Sequence, residues 1–137
     1  MLSAANRMRR SSEFGLVMRN GRRAGRQSLT VIYLPPPKSE DTHAGAAPKV
    51  GFIVSKAVGP AVTRKRVQRR LRHLMRQRVS ALPAGSLLVV RAKPLAATQR
   101  YDMLAAQLDG ALAQVTRSRN EATRRRGGRG RGAPENM

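Results

Sequence analysis

Between Asp41 and Asp102 the chain has no carboxylate, while Lys56 to Arg78 carries nine lysines and arginines. Any fold that includes this stretch must bury its few apolar residues and leave a concentrated positive charge facing outward. A helix does both. From Pro60, suited to a first helical turn, to about Val79, the residues Val67, Leu71, Leu74 and Met75 gather on one side. Lys65, Arg69, Arg72 and Arg76, spaced +4, +3, +4, gather on the other, flanked by Arg66 and His73. An ordinary solvent face mixes signs to gain i, i+4 ion pairs, whereas like charges at that spacing cost a few tenths of a kcal/mol each. With no acid on the helix, an anionic partner is the simplest compensation, and arginine's planar fork suits phosphate. Arg64 and Arg66 lie in the first turn, where free backbone N–H groups and the helix dipole also favour an anion.

The rest of the composition points the same way. Twenty-eight basic residues against seven acidic ones give a net charge of +21 over 137 residues, a self-repulsion that a polyanion relieves. An anionic membrane surface is the other partner such charge could serve. No apolar run approaches the roughly 20 residues of a membrane span. The start, MLSAANRMRR, lacks the apolar centre of a secretory signal. Its acid-free, arginine-rich character would suit an organelle-targeting segment, but it runs directly into Glu13, Phe14 and Val17, which read as the first folded element. The absence of cysteine is compatible with a reducing compartment, and a cytoplasmic location is expected.

Along the chain, Ser11 or Ser12 can cap a short helix with Phe14, Val17 and Met18 at i, i+3 and i+4, ended by Gly21. Leu29–Leu34 (LTVIYL) reads as a strand stopped by Pro35–Pro37, and a loop follows to about Pro48. Val50–Val54 (VGFIV) reads as a second strand and hairpin partner of the first. After the basic helix, Leu82–Gly85 breaks the chain, Ser86–Ala92 forms a third strand, and Thr98 can cap a last helix. The inward positions of that helix are Tyr101, Leu104, Ala105, Leu108, Leu112 and Val115. The order is αββαβα, an α+β sandwich over residues 1–116. Residues 117–137 form a basic tail, with RRRGGRGRG at 124–132 read as disordered in isolation.

The stretch Val50–Arg72, VGFIVSKAVGPAVTRKRVQRRLR, resembles the signature of the bacterial ribonuclease P protein family: a Gly-Phe-Ser-Val-Ser-Lys-like strand, a Val-Gly turn, then Arg-Asn-Arg on a basic helix. The similarity runs upstream through Arg7, Arg9, Arg10, Phe14, Val17, Gly21 and Arg22, and downstream through LLVVRAKP, covering about residues 5–116. Here Lys65 replaces the middle asparagine, Pro60 replaces the asparagine after the turn glycine, and Gln68 stands where lysine is usual. Lys65 keeps a polar side chain but loses the amide's acceptor.

The resemblance implies a small sandwich of the ribosomal protein S5 domain 2-like kind with a left-handed βαβ crossover. That handedness is the opposite of the general rule for such units. It also implies that Arg64, Lys65, Arg66, Arg69, Arg70, Arg72 and Arg76 face the catalytic RNA. Arg9, Arg10, Phe14, Phe52, Ser55 and Lys56 would meet the single-stranded 5′ leader of precursor tRNA in a cleft between the sheet and the first helix. Rings beside basic residues suit single-stranded RNA because bases stack on them, although on the residues alone plain core packing is the better reading of Phe14 and Phe52. Met18 stands where the family often carries a second aromatic.

The seven carboxylates, Glu13, Glu40, Asp41, Asp102, Asp109, Glu121 and Glu135, are scattered, and no pair is spaced for two-metal phosphodiester cleavage. His43 and His73 have no evident catalytic partner. The protein alone is therefore expected to be inactive, and the resemblance implies that the RNA subunit with Mg²⁺ carries out the chemistry, with no protein partner required. Ribosomal or other structural RNA binding is the alternative. A nucleoid-type DNA binder would want more base-reading Asn and Gln than this helix offers, and a protein-only nuclease is the remaining rival.

Overall fold

The structure, a computed structural model, describes residues 4–36 and 47–128. Its elements are α1 (Ser11–Asn20), β1 (Arg22–Gly25), β2 (Leu29–Leu34), β3 (Lys49–Ile53), α2 (Ala61–Arg76), β4 (Leu87–Ala92) and α3 (Tyr101–Gly128). The architecture is the expected α+β sandwich, with one strand more than the sequence suggested. β1 has no apolar alternation to announce it. Its four residues are held by pairing with β2, which sets Ala24 opposite Val31.

The sheet order is β1-β2-β4-β3, so β2 and β3 are not hairpin partners. β4 lies between them, antiparallel to β2 and parallel to β3, with Val90 opposite both Val31 and Phe52. LTVIYL and VGFIV are both apolar on both faces, and such strands carry no alternation that would reveal their neighbours. The parallel pair requires a crossover, which α2 supplies.

Alternation along the strands divides the core in two. Leu29, Val31, Tyr33, Leu88 and Val90 face α2 and α3, meeting Val67, Leu71, Leu74 and Met75 from the first and Leu104, Leu108, Ala111 and Val115 from the second. Ile32 and Val89 face the other way, onto Val17 of α1 and Met8, with Phe14, Met18 and Ile53 half-buried around them. A fully buried aliphatic side chain contributes about 1.5–3 kcal/mol. The predicted apolar stripe of α2 is therefore its anchor, and the basic side is left outside.

Several ends differ from expectation. α1 begins after Arg10 without a side-chain cap, so Ser11 and Ser12 lie inside its first turn. α2 stops at Arg76, and a separate 3₁₀ turn covers Val79–Ala81. Thr98 closes a 3₁₀ turn at Pro94–Ala97 rather than capping α3, which starts at Tyr101. Gly21 does end α1, donating to the Val17 carbonyl at 2.7 Å, and a Cβ there would overlap that carbonyl and the Ile32 side chain. The backbone stays helical to Gly128, past residue 116 where the sequence placed the start of a tail. Glu40, Asp41, His43 and residues 129–137 lie outside the described residues.

Candidate nucleic-acid interface

α2 presents three surfaces around its buried stripe. Lys65, Arg69 and Arg76 are exposed along the outer ridge, as the helical spacing required. On one flank, Arg66 Nη2 donates to the Ala97 carbonyl at 3.1 Å and Arg70 Nη1 to that of Gln99 at 3.4 Å. These bonds tie the helix to the segment entering α3 and use one of the several donors on each guanidinium. At the N-terminal end, Arg64 Nε donates to the Gly59 carbonyl at 3.1 Å. Gly59 has φ 152°, in the region that favours glycine, and turns the chain from Lys56–Val58 into α2.

The other flank borders a hollow of about 210 Å³ lined by Arg7, Met8, Arg9, Phe14, Phe52, Gln68 and Arg72, with Val50 and Gly51 as its floor. It curls over the outer edge of β3. Phe14 comes from α1 on one face of the strand, lying so close that a Cβ on Gly51 would overlap its ring. Phe52 packs on the opposite face with the α2 and α3 core. The two rings expected to share one cleft therefore stand on opposite faces of β3 and meet only at its edge. The period-2 alternation of the strand requires this, since Gly51 already faces α1. Both rings are half-buried, so core packing and an open ring surface coexist.

The N-terminal arginines are held by backbone pairing. Arg7 bridges Val50 in parallel, and Met8 N–H donates to the Val50 carbonyl at 3.0 Å. Arg9 and Arg10 are consequently exposed beside the hollow and share a second concavity with Arg7, Lys49 and Glu13. Lys49 Nζ meets Glu13 Oε2 at 3.2 Å, so the acid nearest to these arginines is engaged by a lysine. Ser55 and Lys56 are exposed at the turn after β3.

Two exposed arginines escaped the sequence reading. Arg91 sits opposite Thr30 and Ile53, two residues beyond Val89 and so on the α1 side of the sheet. Arg23, opposite Ile32 on the same side, donates to the Met18 carbonyl at 3.1 Å. The signal was present in LLVVRA, where a charged residue follows Val89 at strand spacing, but the run reads first as a continuous buried strand.

Acids are spent on structure. Arg78 and Asp109 form a two-point pair, Nε–Oδ1 at 2.5 Å and Nη2–Oδ2 at 3.1 Å, joining the end of α2 to α3. The hydrogen bond from Arg78 holds the Asp109 carboxyl below its usual range, against an opposing desolvation effect. Among the described residues, no three His, Asp or Glu side chains converge as metal ligands do, and the charged side chains around the hollow are all arginines, a set unfit to ligate a divalent ion. No described helix is long and apolar enough to cross a membrane.

Comparison with known proteins identifies this arrangement. The family model described as Ribonuclease P matches residues 2–116. The ribonuclease P protein component of Thermobifida fusca is 62% identical over 126 residues, covering 91% of this chain and 86% of that protein. That of Salinispora tropica is 46% identical, covering 90% of this chain and all of its own length. In fold, the chain is similar to the ribonuclease P protein of Staphylococcus aureus, with TM-score 0.65 and 20% identity over 80% of this chain and 96% of that one. The Thermotoga maritima protein gives TM-score 0.62 and 21% identity over 81% and 96%. The chain belongs to the ribonuclease P protein family, whose members are subunits of the endoribonuclease that removes the 5′ leader from precursor tRNA.

Proposed function

We propose that this protein works by holding two RNAs at once, the catalytic RNA along α2 and the precursor's leader in the hollow over β3. The observation that carries this reading is their continuity: Arg72 belongs to the basic helix and also lines the hollow that contains Phe14 and Phe52. Lys65, Arg69 and Arg76 on the ridge, with Arg64, Arg66 and Arg70 beside them, would contact phosphates of the RNA subunit. Leader nucleotides would stack against the open parts of Phe14 and Phe52, with Arg9, Arg10 and Lys56 near their phosphates and Ser55 at the exit turn.

Hydrolysis then belongs to the RNA subunit. Mg²⁺ would supply the Lewis acidity for that step, and the described residues of the protein would serve to bind and place the RNAs. The protein's contribution is electrostatic: a charge of +21 screens the repulsion between enzyme RNA and substrate RNA, so that both assemble at lower salt.

Comparing precursor tRNA with mature tRNA in the reconstituted holoenzyme tests the division of labour. Phe14→Ala is expected to reduce the extra affinity conferred by the leader, by about 5- to 150-fold if a base stacks there, while leaving affinity for mature tRNA unchanged. Equal leader dependence in wild type and variant would remove Phe14 from the leader site.

A further inference from the structure

Tyr101 is 40% exposed, whereas Tyr33 is buried and Phe14 and Phe52 are half-buried. In a chain with only 3% Phe, Tyr and Trp, it is the one Phe or Tyr whose residue is exposed rather than buried or half-buried. A single exposed ring needs no explanation on its own. Its surroundings give this one significance. The His73 ring, also exposed, lies with its centroid 6.1 Å from that of Tyr101, the planes inclined at 50°. The pair closes the flank of α2 opposite the leader hollow.

On that flank Arg66 and Arg70 hold the carbonyls of Ala97 and Gln99, in the segment that delivers Tyr101 to the start of α3. The same two bonds thus fix the position of the segment and hold two guanidiniums near the ring pair. Arg69 stands next to them on the ridge, and Arg100 precedes the tyrosine. The nearest acid in sequence, Asp102, is bridged by Arg100 at 3.2 Å. Exposed rings bordered by guanidiniums form the surface on which unpaired bases stack while their phosphates are neutralised. A protein partner is less well matched, because a protein interface core is depleted in charge.

We propose that Tyr101 and His73 form a stacking platform for one unpaired nucleotide of the RNA subunit, with Arg66 and Arg70 taking its flanking phosphates. This rests on the reading that α2 faces the RNA subunit, and it adds a contact of a different kind on a different side of the helix. A stacking contact is worth about 1–3 kcal/mol per base, or about 5- to 150-fold in affinity. It releases no counterions, so the salt dependence of binding should not change.

The test is titration of the full-length protein against the RNA subunit alone at several salt concentrations. Tyr101→Ala is expected to weaken binding by about 5- to 150-fold with the log–log salt slope unchanged, Tyr101→Phe to bind like wild type, and His73→Ala to show a smaller loss of the same kind. Wild-type affinity for Tyr101→Ala, or a loss accompanied by a shallower slope, would overturn the platform. Thermal unfolding of each variant separates a folding defect from a lost contact, and substitution of His73 provides an independent approach to the same site if Tyr101→Ala proves unstable. If Arg69→Ala alters the slope while both ring variants are silent, only the platform fails. If Arg69→Ala is also silent, the reading of α2 itself fails.

Discussion

A methyl group on Gly51 would occupy space taken by the Phe14 ring, so this glycine sets how closely α1 and its aromatic can approach the edge strand. Gly51→Ala is expected to displace Phe14 and lower the holoenzyme's preference for leader-bearing substrate while its affinity for the RNA subunit is retained. Parallel titrations with precursor tRNA and with the RNA subunit check both halves. Asp109 illustrates a different kind of residue. Its pKa is depressed by Arg78, so it stabilises the fold while ionised. That contribution is present above the unfolded carboxylate value near 4 and is lost as pH falls through the lower folded value. Because Asp109 is 57% exposed, the effect should be at most about 1 kcal/mol. Asp109→Asn should therefore be slightly less stable than wild type at neutral pH, with the difference closing below about pH 4 in denaturant titrations. The ridge arginines could be assigned from sequence because helical spacing alone places them outward. The separation of Phe14 from Phe52 was not evident, since it depends on which face of β3 the α1 helix covers.

At the scale of elements, α2 governs behaviour. If about six phosphates are neutralised, affinity for RNA should fall with salt at a log–log slope near −4 to −5. Arg69→Ala should reduce the steepness by about one unit, measured by filter binding across a salt series. An unchanged slope would mean that the ridge does not face phosphate. The helix was legible because its two signals, apolar spacing and absence of acids, are local. β1 was not, because RRAG is a strand only by virtue of its pairing with β2. The supposed hairpin of β2 and β3 failed for the same reason: strand neighbours are set by non-local packing, here by β4 inserting between them. Cap positions also shifted, because Arg10 and Pro60 take the positions before α1 and α2 without side-chain caps.

On the scale of the whole molecule, the protein is an α+β sandwich that turns its cationic side chains outward and ties Glu13, Asp102 and Asp109 to basic partners. The basic helix and the edge hollow are continuous through Arg72, and it is on this one side of a small domain that we propose substrate and catalytic RNA meet. The division of labour we propose, RNA binding by the protein and hydrolysis by the RNA subunit, is a claim about this whole surface. The most direct measurement is cleavage of precursor tRNA by a bacterial ribonuclease P RNA at physiological Mg²⁺, with and without this protein, alongside the protein alone. Strong stimulation of the RNA and no cleavage by the protein alone are expected. Failure to stimulate, or cleavage by the purified protein without RNA, would contradict the assignment of binding to the protein and chemistry to its partner.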